Sequence, residues 1–387
     1  MKRIYLDNAA TTPIDKRVAK TMRDFELEFY GNPSSTHREG QQARAKIDFA
    51  RADLAKFINA KPQEIIFTSG ATEANNLAIQ GIIHFHLRKS KLKPHVITTF
   101  LEHQSVYNLV RELESRGVIE ATFVKPDSDG IIKADQILTA IKPNTILVSV
   151  IFVSNEIGSV LPVREIGNAI KENHPHVSYH IDAVQAAKFF NLNVEKLNCD
   201  LLILSAHKIF GPKGIGALYI KTGTKLENLM FGGSQEYDKR PGTQNTTGII
   251  GFAEAIKLLG SLEQRQADSE QISKLRDKLI REIAEIGNIM LNGPEGELRT
   301  ADNVSITVCD MDQDSLTTAL DLAGIAASTG SACVSGSSKP SHVIEALRKP
   351  SKTPGATIRF TLSKYSTPAE ITYVIKQLWE IIPKLRK

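Results

Sequence analysis

The chain has 387 residues with 48 Lys plus Arg against 43 Asp plus Glu; a length that fits about two or three folding units and a formal charge of +5 spread without a basic block exclude a nucleic-acid footprint. Its three cysteines, Cys199, Cys309 and Cys333, make neither a disulfide framework nor a C-x-x-C metal site, so a reducing compartment is expected. No apolar run approaches the roughly 20 residues of a membrane helix and the opening Met1-Lys2-Arg3-Ile4-Tyr5 shows no signal segment, which predicts a soluble, cytoplasmic protein with no membrane contact.

From residue 16 the apolar pattern switches between helix and strand periods. Val18, Met22, Phe25 and Phe29 share one helical face. Ala43, Ile47, Ala50, Leu54 and Phe57 share another, on a helix predicted to open at Gln41-Gln42 and to end near Asn59. Apolar runs of strand length follow at 64–67, 95–100, 145–153, 177–181, 201–204 and 216–220. Amphipathic stretches such as 105–116 and 163–172 separate most of them, which is the β-α-β rhythm of a mostly parallel sheet. Continuous Ile, Leu and Val in those runs predicts a sheet covered on both faces. After about residue 262 come a polar helix over 261–286, a Gly/Pro/Glu turn at 292–296, an alternating strand over 303–308 and a closing helix from Pro368. This is the pattern of a smaller α+β unit. The chain has no internal repeat, and its one biased segment, 328–341, is rich in Ser, Gly and Ala.

Ligands of open parallel sheets bind outside the carboxyl ends of the strands, so the residue types found there carry the functional reading. After Ile66-Phe67 stands Thr68-Ser69-Gly70-Ala71-Thr72-Glu73, a small-residue turn into a helix. It can aim backbone N–H groups and a hydroxyl at an anion, or serve as an ordinary helix cap. His103 follows the run at 95–100, where an isolated histidine is more often structural than catalytic, and Ser154-Asn155-Glu156-Ile157-Gly158 follows 145–153 as what could equally be a polar turn. Asp182 stands after 177–181 among apolar residues, where a lone charge is costly and a cationic partner is expected. After 201–204 comes Ser205-Ala206-His207-Lys208, a lysine on a Gly-rich turn beside two anion donors. Singly these signals are weak. Together they supply an amine, a carboxylate, an imidazole, an amide and hydroxyls, a set that suits pyridoxal 5'-phosphate with its Schiff-base lysine, ring-nitrogen carboxylate and phosphate cradle.

Nine motifs then occur in order: Tyr5-Leu6-Asp7-Asn8-Ala9-Ala10-Thr11-Thr12, Tyr30-Gly31-Asn32-Pro33-Ser34-Ser35, Thr68-Ser69-Gly70-Ala71-Thr72-Glu73, Asn155-Glu156-Ile157-Gly158, His180-Ile181-Asp182-Ala183-Val184-Gln185, Ser205-Ala206-His207-Lys208, Arg240-Pro241-Gly242-Thr243, Gly330-Ser331-Ala332-Cys333 and Arg359-Phe360-Thr361-Leu362-Ser363. On these the chain resembles, over essentially its whole length, the pyridoxal-phosphate-dependent cysteine desulfurases of the NifS/IscS type in the class V aminotransferase family. The resemblance implies the α/β architecture of PLP fold type I, like aspartate aminotransferase. A large cofactor domain over 16–262 would carry a mostly parallel seven-stranded sheet, and a small α+β domain from 1–15 and 263–387 would carry the catalytic cysteine loop. It further implies that Lys208 holds the cofactor, Asp182 pairs with the ring nitrogen, His103 stacks on the ring and moves protons, and Gln185 and Asn155 bond the ring's 3-oxygen. Ala71, Thr72, Ser205 and His207 would hold the phosphate, joined by Thr243 from a second subunit of a homodimer. Arg359, with Asn155, would bind the substrate carboxylate, for which a planar guanidinium is suited.

Cys333 would be the nucleophile that takes sulfur from L-cysteine as a persulfide, leaving alanine. It would hand that sulfur to an acceptor protein, either an iron–sulfur scaffold or a tRNA-thiolation enzyme, and could act as a transient iron–sulfur ligand, with no resident metal. Its Ser/Gly-rich surroundings suit a travelling thiolate, whereas Cys309, in the alternating strand, and Cys199, just before a buried one, read as core residues. Two stretches keep the family pattern only in part: Phe231-Gly232-Gly233-Ser234-Gln235-Glu236, and Pro241, which replaces a small residue. The chain ends at Lys387 without the longer tail with which IscS-type members reach their scaffold, so scaffold docking is left open. The rivals on this fold are an aminotransferase, which needs no protein thiol, and a selenocysteine lyase; the rival of another class is a catalytically idle interaction protein.

Overall fold

A strand buried on both faces sends alternate side chains into two different cores. The computed structural model describes residues 3–329, 341–347 and 355–386, and in it the apolar runs behave in this way. Ile65, Phe67, Val148, Leu202 and Leu204 pack into one core, while Ile66, Leu147, Leu201 and Ile203 pack into the other. The strands in chain order are β1 (Ile4–Tyr5), β2 (Ile65–Thr68), β3 (His95–Thr99), β4 (Glu120–Val124), β5 (Thr145–Ile151), β6 (Ser178–Asp182), β7 (Leu201–Ser205), β8 (Gly216–Ile220), β9 (Ile289–Leu291), β10 (Asn303–Cys309), β11 (Ile325–Ala326) and β12 (Gly355–Thr361).

Seven of them form one sheet in the order β2-β8-β7-β6-β5-β3-β4. Only β8 runs against its neighbours, so β2, β3, β5, β6 and β7 all end on the same side. This is the mostly parallel α/β sheet of PLP fold type I. A second sheet, β12-β10-β9, is antiparallel and packs its own apolar core, including Val304, Ile306, Ile358 and Phe360, against the helices Leu262–Ala284 and Pro368–Leu385. The N-terminal segment joins the two sheets. β1 pairs with β11, Leu6 O accepts from Thr361 N at 2.7 Å, and Thr12 N donates to His207 O at 2.9 Å.

The second helix runs Arg38–Ile58, so it opens three residues before the expected Gln41. Its first turn has no apolar period to read, and its cap is His37, whose Nδ1 accepts from Gly40 N at 3.3 Å. Asn59 ends it in the left-handed conformation, φ 56°. β4 escaped the apolar pattern because it is an edge strand with a half-buried Glu120, Ala121, Thr122 and Phe123. Cys199 is buried, as read, but Cys309 at the end of β10 is only half-buried. Among the described residues no helix is long and apolar enough to cross a membrane.

Candidate active site

Five strand ends that point the same way must bring their following turns together, and here they enclose a cavity of about 500 Å³. Ala71, Thr72, His103, Asn155, Asp182, Gln185, Ser205, His207, Lys208 and Arg359 all line it. Thr243 is exposed and is not part of its lining. Cys333 lies outside the described residues.

Asp182 ends β6 and is 3% exposed. Neutral donors hold its carboxylate, Asn75 Nδ2 at 2.9 Å and Val184 N at 3.1 Å, in place of the cation expected from the sequence. Dipoles stabilise such a charge without cancelling it, so it stays available to a cation brought into the cavity. The same Asn75 amide donates to Ser105 Oγ at 2.9 Å, and Ser105 Oγ lies 2.8 Å from His103 Nδ1. Ser105 N also donates to that nitrogen at 3.1 Å. A backbone N–H can only donate, so Nδ1 bears the lone pair and the neutral ring carries its proton on Nε2. Burial lowers the pKa of His103, the Lys208 charge acts the same way, and Asp182 opposes them.

Lys208 closes a single 3-10 turn, Ala206–Lys208, directly behind β7, and its Nζ donates to Ala9 O and Ala10 O, each at 2.7 Å. Gln185 Nε2 donates to Ala9 O at 3.0 Å, so the N-terminal segment covers both side chains. Arg359 comes from the other sheet. Its Nη1 donates to Asn155 O at 2.9 Å and its Nη2 to Asp7 Oδ1 at 3.0 Å, while the buried Nε has no partner among the described residues.

The phosphate end of the cavity can be tested against the group the sequence implies. The helix Ala71–Lys89 has no side-chain cap at its start, because its cap residue, Gly70, offers no side chain. An uncapped N-terminus favours an anion. Ser205 Oγ is buried with no partner among the described residues, and burial, helped by the charges of Lys208 and Lys213, pushes His207 down to about 4, which keeps it a neutral donor or acceptor. A phosphate cradle, a lysine and an unneutralised carboxylate around one cavity fit pyridoxal phosphate.

Four residues of the site were not singled out for it from the sequence. Asn75 was legible, since it falls on the buried helical face of Ile79, Ile82 and Ile83, where a polar residue needs a reason. Ser105 was visible only as the start of a helix. Glu102 and Glu156 are buried carboxyl groups pushed up by burial, to about 8 and about 7, although Thr99, Ile151 and, for Glu156, Ser341 and the Arg359 charge oppose the shift. Glu102 Oε1 accepts from Thr99 Oγ1 at 2.8 Å and from Ile151 N at 2.9 Å.

The family model described as aminotransferase class-V matches residues 4–374. The chain belongs to the class-V aminotransferase family. Within it the chain is similar to a protein named cysteine desulfurase IscS from Dictyoglomus turgidum, at 43% identity over 100% of this chain and 96% of that relative. One from Methanosarcina thermophila is 40% identical over 100% of this chain and 93% of its own length. Among solved structures, a NifS-like protein superposes with a TM-score of 0.90 at 33% identity, covering 99% of this chain and 100% of the other. A cysteine desulfurase from Thermococcus onnurineus superposes with a TM-score of 0.87 at 27% identity, covering 99% and 95%. Members of the class-V family use pyridoxal phosphate.

Proposed function

We propose that this chain is a pyridoxal-phosphate-dependent cysteine desulfurase that converts L-cysteine to L-alanine and passes the sulfur on as a persulfide of Cys333. The observation that carries the reading is the single cavity in which Lys208, the unneutralised Asp182 and the guanidinium of Arg359 meet. When bound, the cofactor supplies an electron sink for the substrate's Cα. Lys208 Nζ would hold the cofactor and move the Cα proton, Asp182 would keep the ring nitrogen protonated, and the uncapped turn at Ala71-Thr72 with Ser205 and His207 would hold the phosphate. Gln185 and Asn155, which line the same cavity, would bond the ring's oxygen. Arg359 would exchange Asp7 for the substrate carboxylate, and His103 would take part in proton transfer by donating a hydrogen bond from its Nε2–H. The Cys333 thiolate attacks the substrate sulfur; an S–S bond forms, the C–S bond breaks, and the carbon keeps the electron pair and takes a proton to give alanine. Sulfur transfer is thus balanced with no outside oxidant.

The acceptor in this reading is a protein of iron–sulfur cluster assembly or tRNA thiolation in the cytoplasm, and the active species is a homodimer in which Thr243 meets the cofactor phosphate of the second copy. Exposed apolar side chains support a partner surface near that residue: Phe231 is 90% exposed, and Met230 and Tyr237 are 47% exposed. The same reading divides the chain into 16–262 and 1–15 with 263–387. Separate apolar cores support that division, with the exceptions of Val343 and Ile344, which pack into the first, and Phe189, which packs into the second. The test is alanine release together with mass analysis after reaction with L-cysteine. Cys333→Ser should bind cofactor and respond spectrally to cysteine, yet gain no sulfur and release almost no alanine. Normal alanine release from that variant would overturn the role of Cys333.

A further inference from the structure

β2 is one of the two edge strands of the large sheet, and such an edge leaves backbone N–H and C=O groups to be satisfied from elsewhere. Two charged side chains do this in place of a neighbouring strand. Arg51 Nη1 donates to Ile65 O at 2.6 Å, and Phe67 N donates to Glu236 Oε2 at 2.8 Å. Arg51 and Glu236 are joined by two further bonds of 2.7 Å each, with side chains 4% and 1% exposed. Gln244 Nε2 adds a bond to Glu236 Oε1 at 2.9 Å.

Closing an edge does not require the backbone to be strained, yet at this point it is. Glu236, Tyr237 and Asp238 stand at φ 49°, 55° and 62°, three successive side-chain-bearing residues in the left-handed region. Each is unfavourable, and a run of three persists only where the surroundings over-determine it. Here the over-determination is visible: Glu236 is fixed by four donors, and the Arg51 guanidinium lies 5.2 Å from the Tyr237 ring. The chain then reaches exposed Thr243 through Gly242, whose N–H donates to Gln235 Oε1 at 2.9 Å. On the way, Arg240 Nε donates to Glu73 Oε1 at 2.8 Å, which ties the loop to the residue that also holds Ser69 N.

We propose that Arg51 and Glu236 are positioning residues: their buried pair holds the strained turn Glu236–Asp238 so that Thr243 stands out in the place where it meets the cofactor phosphate of a second copy of the chain. This rests on the homodimer reading above and adds to it the device that sets the loop. The consequence is that damage to the pair is felt in the other subunit's site and spares the chain's own.

Hybrid dimers of two differently tagged chains test this. In the first, one chain carries Glu236→Ala and the other Lys208→Ala, so the one site with Lys208 receives its loop from a chain with an intact pair. In the second, both substitutions sit in one chain, so the one site with Lys208 receives the loosened loop. The readout is cofactor fixed on Lys208 by borohydride and counted by mass across a range of cofactor concentrations. The first hybrid should match a hybrid of wild-type and Lys208→Ala chains, and the second should bind about tenfold more weakly or worse, the size expected when support behind a ligand contact is lost. Equal affinities, or loss in the first hybrid alone, would overturn the proposal, because the pair would then act only within its own chain. If Glu236→Ala chains do not fold, Glu236→Gln in the same two hybrids should show the same polarity with a smaller difference. Failure of the underlying reading is distinguishable, since the wild-type chain itself would then be monomeric or carry no cofactor on Lys208.

Discussion

The cavity has two walls, and they hold their polar groups in different ways. On the sheet wall, Asp182, Ser205 and Lys208 come from adjacent strands whose register is fixed by pairing, with Asp182 opposite Ile203. Their neighbours are bound to one another through Asn75, Ser105 and His103. On the other wall Arg359 comes from β12, where it stands opposite Ser305 of β10 in its own sheet and is held from outside that sheet by backbone bonds of 2.7 and 3.1 Å to Ser328. It reaches across to Asn155 O and to an Asp7 side chain that is 22% exposed, and its Nε has no partner among the described residues. Groups on neighbouring strand ends are preorganised by the fold. A guanidinium with a spare donor and a partly exposed partner is built to exchange that partner for another carboxylate. Changes on the sheet wall should therefore strike the cofactor and the proton steps, and changes on the Arg359 wall the substrate.

The largest effect belongs to Lys208. Lys208→Ala should bring turnover to background and abolish the pH-dependent visible absorption of the bound cofactor; a variant that turns over with the cofactor fixed on Lys213 would break the division at its centre. Asn75→Ala comes next, because one deletion unhooks both Asp182 and Ser105. We expect kcat/KM to fall about 10- to 100-fold, as for supporting residues behind a reactive centre. Cofactor retention should weaken as well, which an absorbance titration measures.

On the opposite wall, Arg359→Lys should raise KM for cysteine about tenfold or more, since a hydrogen bond to a charged group is worth about 1.5–3 kcal/mol and a compact ammonium cannot make two parallel ones. The cofactor spectrum should not change. A spectrum that changed with KM would mean that the walls are not separate.

A smaller effect concerns the proton on His103. Burial lowers its pKa, and protonation at Nδ1 would set a second donor against Ser105 N–H, so the neutral ring persists to lower pH than in a free imidazole. The acid limb of kcat/KM is expected below the ordinary histidine value of about 6.5. It should vanish in His103→Gln.

The smallest change in turnover is expected from Glu102→Gln, read instead as stability against pH. Glu102 is pushed up by burial from an ordinary 4.5 to about 8. Between those values the unfolded chain releases this proton while the folded chain keeps it, so the wild type loses stability as pH rises and the glutamine variant does not. The melting-temperature gain of the variant should be absent below pH 4.5, grow up to pH 8 and then level; a gain independent of pH would show that Glu102 is ionised in the fold.

The sequence by itself determined the apolar runs that become β2, β3, β5, β6, β7 and β8, the stop at Asn59, and the set of residue types at five strand ends, because each depends on periodicity or on the few residues beside it. The start at Arg38 and edge strand β4 were not legible, since a turn capped by His37 and a strand with one neighbour leave no apolar signature. What only the tertiary structure decided is which buried charges meet. Asp7 lies 352 positions from Arg359, and Arg51 lies 185 from Glu236. The neutral donors on Asp182 and the three left-handed residues that a distant ion pair holds were equally out of reach. Periodicity tells which face of an element is apolar, but a buried charge is tolerable only against a specific partner, and that partner is chosen by the packing of elements far apart in the chain.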